Sequence, residues 1–280
     1  MARHLSSADP PAGLHADDLS AWCFAVWKHC TDDDDLSPDE RLAFRNAVVE
    51  ALERAVTGEG RTELQYELFV ARDVRGMSRV EVGDLAGALQ DQDAAVDGFS
   101  GLLAEEFDCG DDLTLARSMR ARTLQYLGRF EAASSEWEAV FAADESMRLE
   151  HGREYAEVVF ALGRVEDGIA ALAAHQQSLQ DAPAVAPREL DATQAMLASW
   201  LDAVDRSCEA APLWEALAER ASDHLRLPLD ETARADLLEF RRDAYAALGR
   251  SARALDDARS VVAAIAGLAV ERPQWRERAA

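Results

Sequence analysis

Asp34-Asp35-Leu36-Ser37-Pro38-Asp39 sets carboxylates at a spacing that could hold a divalent cation, within an acidic run that begins at Asp32. A metal there would act as a Lewis acid, provided the carboxylates shared one surface. Ser37 and Pro38 argue against that arrangement. Serine is a strong N-cap, proline fits the first helical position and Glu40 completes a capping box, so a helix starts inside the spacing. The acidic run then reads as a loop whose charges favour the N-terminus of that helix. Asp32 to Asp35 also lacks the glycine and the twelfth-position glutamate of an EF-hand loop. Gly98-Phe99-Ser100-Gly101 does not have nucleophile-elbow spacing, and Gly58-x-Gly60 is too short to cradle a phosphate. Lys28 is the only lysine, so Schiff-base chemistry would rest on it alone. The six histidines include no pair at i, i+4, and the four cysteines include no CxxC, so neither zinc ligation nor a disulfide framework is indicated.

The aspartate spacing is similar to that of metal-dependent terpene cyclases, which gives an alternative reading as a metal-dependent all-helical enzyme using the Asp32–Asp39 region. A second metal signature of that class is not found, and 7% aromatic residues is thin for lining a carbocation cavity. The sequence therefore predicts no catalytic residues, no metal and no cofactor.

Composition points the same way. In 280 residues, 53 acidic against 29 basic residues give a formal net charge of −24, a field that repels nucleic acid. The longest apolar stretch, Ser260 to Val270, is helix-sized and too short to span a bilayer. Met1 to Gly13 has no apolar h-region, so the expected location is cytoplasmic. From Val80 to Ala116 there are ten acidic residues and no basic one, either a solubilising face or a docking surface for a partner with a basic segment. Arg272, Arg276 and Arg278 around Trp275 reverse the sign at the C-terminus, which leaves self-association open.

No segment shows the period-2 alternation of a strand, whereas Ala, Leu, Glu and Arg recur at helical spacing, so the fold class is all-α. A first helix is expected over Asp18 to Cys30, with Trp22, Val26 and either Cys23 or Trp27 on its apolar face. A second runs from Pro38 to about Val56, and a third carries Leu64, Phe69 and Val70. Further on, Leu127-Gly128-Arg129, Leu162-Gly163-Arg164 and Leu248-Gly249-Arg250 each close one helical stretch and open another. Glycine suits the left-handed residue that ends a helix.

With these three turns the chain resembles the tetratricopeptide repeat (TPR) family, whose unit is a helix-turn-helix of about 34 residues. Gln90 and Asp205 are taken as two degenerate turns, giving five hairpins. Small residues then fall midway along the first helix at Gly83, Ala121, Ala156 and Ala198, with Arg242 failing. They fall early in the second helix at Ala95, Ala133, Gly168, Ala210 and Ala254. Large groups follow at Phe99, Trp137, Leu172 and Trp214, and His175 lies on a packing face. Small residues admit close helix approach and large ones fill the adjoining groove. The resemblance implies an α-solenoid of antiparallel hairpins, a TPR-like right-handed superhelix. Its expected organisation is a disordered segment over residues 1–16, divergent capping helices over 17–75, repeats over 76–270 and a tail over 271–280.

The resemblance further implies a non-catalytic scaffold or adaptor that binds a peptide or protein on the concave surface of the first helices. Those positions are Asp84, then Ser118, Arg122 and Gln125, then Arg153, Glu157 and Phe160, then Ser199 and Asp202, then Glu239 and Asp243. Arg122 and Arg153 would grip an acidic group of the partner. The lysine and asparagine clamp of chaperone-binding relatives is absent. A peptide-sensing regulator without its own DNA-binding domain is the remaining alternative.

Overall fold

The computed structural model describes residues 16–32, 36–182 and 187–271. The aspartates 33–35, the expected loose N-terminus before residue 16 and the arginine-rich tail lie outside the described residues. Among the described residues there are twelve α-helices and no strand. They are α1 (Ala16–Asp32), α2 (Pro38–Glu53), α3 (Gln65–Glu81), α4 (Leu85–Ala104), α5 (Gly110–Tyr126), α6 (Phe130–Ala143), α7 (Met147–Ala161), α8 (Val165–Asp181), α9 (Pro187–Ala203), α10 (Ser207–His224), α11 (Glu231–Ala247) and α12 (Ser251–Glu271). The chain forms two compact units, residues 1–148 and 149–280. No described helix is long and apolar enough to cross a membrane.

Helix α2 starts where its sequence demands. Ser37 accepts from the Glu40 amide at 3.3 Å, and the Glu40 carboxylate accepts from the Ser37 amide at 2.9 Å, closing the capping box with Pro38 behind it. The Ser37 hydrogen bonds hold the Glu40 carboxyl below the ordinary carboxylate range. Ser37→Ala should lower stability by about 1 kcal/mol in chemical denaturation and return Glu40 to ordinary titration by NMR. On α1 the buried face is Leu19, Val26 and Cys30, with Trp22 and Cys23 partly covered, whereas Trp27 is 45% exposed. Cys23, rather than Trp27, therefore completes the apolar stripe.

Five residues with left-handed backbone mark five hairpin turns: Gly83 (φ 83°), Gly128 (69°), Gly163 (77°), Asp205 (61°) and Gly249 (69°). Four of the five turns close by the same bond. Arg129 N donates to Leu124 O at 2.9 Å, and the equivalents include Asp84 to Arg79 and Arg206 to Leu201, both at 2.8 Å. Asp205 is thus a turn, as its place in the frame predicts, and aspartate tolerates the left-handed region better than most residues. Gln90 is not a turn, because it lies inside α4. Gly83 is the turn of the α3–α4 hairpin rather than a small residue midway along a helix. The displacement is seven residues, close to two full helical turns, so it preserves the face and changes only the depth along the helix.

From the turn at Gly83, the small residues become Gly76 and Ala88. A Cβ on Gly76 would lie 3.3 Å from the Ala88 carbonyl oxygen, and Ala88 is fully buried. A close approach also occurs in the second unit, where a Cβ on Gly168, five residues after its turn, would stand 2.9 Å from the Cβ of Phe160. Ala121, Ala133, Ala156, Ala198 and Ala210 are all fully buried, and Trp137 and Leu172 fill the space beside them.

A second regularity runs through the hairpins. Arg75 binds Asp91 through two hydrogen bonds (2.7 and 2.5 Å), Arg120 binds Glu136 at 2.6 Å, and Arg241 binds Asp257 through two (2.8 and 2.7 Å). Each pair spans sixteen residues, eight before and eight after its turn. Where the arginine is missing the acid is missing too: Tyr155 faces Ala171 in the frame and Leu197 faces Leu213. A charge taken into the packed seam between helices needs its partner, so the positions change together.

Candidate functional site

In the unit formed by residues 1–148, the first helices α3 and α5 lie side by side with α4 behind them, and a groove of about 150 Å³ opens between them. Met77, Val80 and Glu81 of α3 form one wall, Met119, Arg122, Thr123 and Tyr126 of α5 the other, and Gln92 of α4 part of the lining. Helical spacing produces this set, since 77, 80 and 81 share a face of α3, as 119, 122, 123 and 126 share a face of α5. Met77 is 39% and Tyr126 63% exposed, so the walls are accessible. Glu81 is shared with Arg41 of α2 at 3.6 Å. The groove combines flexible thioethers, an aromatic rim and a guanidinium, a set suited to an apolar side chain flanked by a polar or acidic group.

Of the expected surface positions in this unit, Arg122 lines the groove and Gln125 is partly exposed on the same helix. Ser118 does not contribute, because it is fully buried and its hydroxyl donates to Leu115 O at 2.7 Å. Asp84 does not contribute either. It is the N-cap of α4, accepting from the Gly87 amide at 3.0 Å, because Gly83 rather than Gln90 is the turn. With the turn placed at Gly83, the position equivalent to Arg122 is Met77 and that equivalent to Gln125 is Val80. These are the residues that face Arg122 across the groove, and the sequence reading missed them for want of the correct register.

The acidic run from 80 to 116 is partly consumed in structure. Asp91 is buried between Arg75 and Arg79, Asp93 meets Arg120 at 3.3 Å, and Asp112 accepts from the Tyr66 hydroxyl at 3.0 Å. Deeper in the unit, Asp73 of α3 is buried, and its Oδ1 has no hydrogen-bond partner among the described residues. Burial, with the nearby Asp112 charge adding to it, pushes the Asp73 carboxyl up to about 7.

In the unit formed by residues 149–280, the expected positions divide. Arg153 pairs with Glu189 of α9 at 3.5 Å. Phe160 stacks on Trp200 with centroids 4.2 Å apart and packs over Gly168, so it serves the seam between helices rather than an open surface. Asp202 accepts the Trp214 indole N–H at 2.8 Å. Ser199 and Asp243 are exposed, and Asp243 holds Arg242 at 2.8 Å. Glu157 and Glu239 lie partly exposed on α7 and α11. His175 is buried against Gly152, where a Cβ would stand 2.7 Å from its Nδ1.

Among the described residues, no three His, Cys, Asp or Glu side chains converge to hold a metal ion. Asp39 sits exposed in the first turn of α2.

No protein-family model matches the chain, and no curated protein does. Solved structures do. BtubC (BKLC) from P. vanneervenii superposes with a TM-score of 0.59 at 17% identity, covering 84% of this chain and 93% of that one. A Podosopora anserina protein designated a kinesin light chain, with nearly identical TPR-like repeats, superposes in a variant form with a TM-score of 0.56. It is 17% identical, and the match covers 76% of this chain and 99% of that one. A second structure of that protein gives 0.52 at 20% identity over 76% and 97%. At these identities the likeness shows the fold: antiparallel helix hairpins of the TPR-like solenoid type.

Proposed function

We propose that this chain is a non-catalytic interaction scaffold that holds an extended peptide or protein segment in the α3–α5 groove. The observation that carries the reading is the groove itself, in which Arg122 stands among Met77, Val80, Met119 and Tyr126 on the first helices of successive hairpins. The fold supports it, since stacked hairpins present long surfaces and little enclosed volume. The bound segment places an apolar side chain between the two methionines and an acidic group against Arg122. A basic residue farther along the segment would meet the exposed acids of the run, such as Asp97 and Glu105. Ser199, Glu239 and Asp243 are proposed as further contacts on the second unit. A second copy of the chain could supply the segment, and nucleic acid is not expected as a partner. Four unpaired cysteines suit a reducing, cytoplasmic setting.

The reading is tested by selecting binders from a displayed peptide library and measuring the best of them against variants. Arg122→Glu should weaken binding at least tenfold, about 1.4 kcal/mol, while circular dichroism stays that of the parent. Selected peptides that bind the Arg122→Glu and Met119→Glu variants as tightly as the parent would rule the groove out.

A further inference from the structure

An apolar cavity of the first unit lies elsewhere, where α1 crosses α2 and α3. It has a volume of about 330 Å³, within the roughly 300–1,000 Å³ of small-molecule sites. Val48 and Leu52 of α2 and Val70, Ala71 and Val74 of α3 line it, and α1 contributes Phe24 and Trp27. Those two aromatic side chains are 61% and 45% exposed, with ring centroids 5.7 Å apart, and they form an open lip.

One lining residue does not fit a merely unfilled hydrophobic gap. Arg45 is partly buried at the cavity, and among the described residues its hydrogen bonds go to neutral acceptors, the Val74 carbonyl at 3.1 Å and the Ser78 hydroxyl. Its Nε has no partner, and no described carboxylate lies within 4 Å of it. Its neighbours Arg41 and Arg72 are by contrast paired with Glu81 and Glu53. Glu81, in contact with Arg41, acts on Arg45 only from a distance, and in a chain with a net charge of −24 a desolvated guanidinium with no described carboxylate in contact is out of keeping, because burying a charge is tolerated when it is closely paired. Glu67, the one carboxylate lining the cavity, is occupied at the far end. It accepts from Ser20 at 3.3 Å and lies seven residues before Val74 on α3, about 10 Å along the helix axis. The cavity therefore has a cationic end, an apolar body and an open aromatic mouth. Cys23 in its wall takes no part as a nucleophile, since burial keeps its thiol protonated, pushed up to about 12.

We infer that this cavity is a binding site for a small amphipathic carboxylate, an unbranched fatty acid of medium chain length, whose head group pairs with Arg45 while its chain lies along Val48, Leu52, Val70 and Ala71. The site is separate from the α3–α5 groove, so it stands or falls independently of the peptide-binding reading.

Calorimetric titration of the full chain with decanoate, decan-1-ol and decyltrimethylammonium tests this. Decanoate should bind one to one and at least tenfold more tightly than the other two, and Arg45→Gln should bring decanoate down to the level of the alcohol. Because Arg45 also holds Val74 and Ser78, Phe24→Ser serves as a second variant at an exposed position. It should weaken decanoate and decanol together by several-fold while keeping the preference for the acid. Absence of decanoate binding, several equivalent sites, equal affinity for acid and alcohol, or indifference to both substitutions would overturn the assignment.

Discussion

Replacing Arg241 with leucine is expected to destabilise the protein by about 3 kcal/mol, more than a typical surface substitution, because it strands the Asp257 carboxylate in a packed seam. Asp257 is 5% exposed, and its two oxygens are held by the Arg241 guanidinium. Further replacing Asp257 with leucine should recover most of the loss. The template is internal, since the fourth hairpin already carries Leu197 and Leu213 at these positions, with Leu197 buried and Leu213 partly covered in the same core. Urea denaturation of the parent, Arg241→Leu and the double variant measures it. A single variant within about 0.5 kcal/mol of the parent, or a double variant no better than the single, would show that the pair does not clasp the hairpin.

Asp73→Asn should do the opposite, and only above acidic pH. The Asp73 carboxyl titrates near 7 in the folded chain and near 3.8 when unfolded. Folding therefore favours the protonated form. The stability this contributes is full below about pH 4, declines as pH rises, and is lost above 7. Three pH units correspond to about 4 kcal/mol. The asparagine variant should match the parent near pH 4 and exceed it by several kcal/mol at pH 8. Other carboxylates titrate in both proteins and cancel in the difference. A stability difference that does not change with pH would contradict the burial of an ionisable Asp73.

What the sequence disclosed and what it concealed follow from one geometric fact. Helical phase is visible in residue size, so Ala121, Ala133, Ala156, Ala198 and Ala210 are buried where the frame puts them. Depth along the helix is not visible in the same pattern, because a slip of seven residues leaves every side chain on its face. Taking Gln90 as a turn therefore preserves a plausible series of Ala95 and Phe99, while it misplaces Asp84 and hides Met77 and Val80. The signal that resolves the slip was present in the charges. Arg75 with Asp91, Arg120 with Glu136, and Arg241 with Asp257 keep one separation, and the first pair centres on Gly83.

The surface positions were less legible than the core. A face position is exposed only if no neighbour claims it, and sequence spacing does not record claims made by other helices. Ser118 turns back on its own helix, Phe160 stacks on Trp200, and Asp202 is taken by Trp214. Arg122 does line the α3–α5 groove, since a long charged side chain at that position reaches it even when its stem is covered.

The methionines allow the most direct test of the scaffold reading. The chain has five, of which Met77 and Met119 face each other across the α3–α5 groove while Met147 and Met196 lie outside it. In a spectrum of the labelled methionine methyl groups, addition of a library-selected peptide should shift the Met77 and Met119 signals and leave those of Met147 and Met196 in place. Saturating binding that leaves Met77 and Met119 unmoved would contradict it.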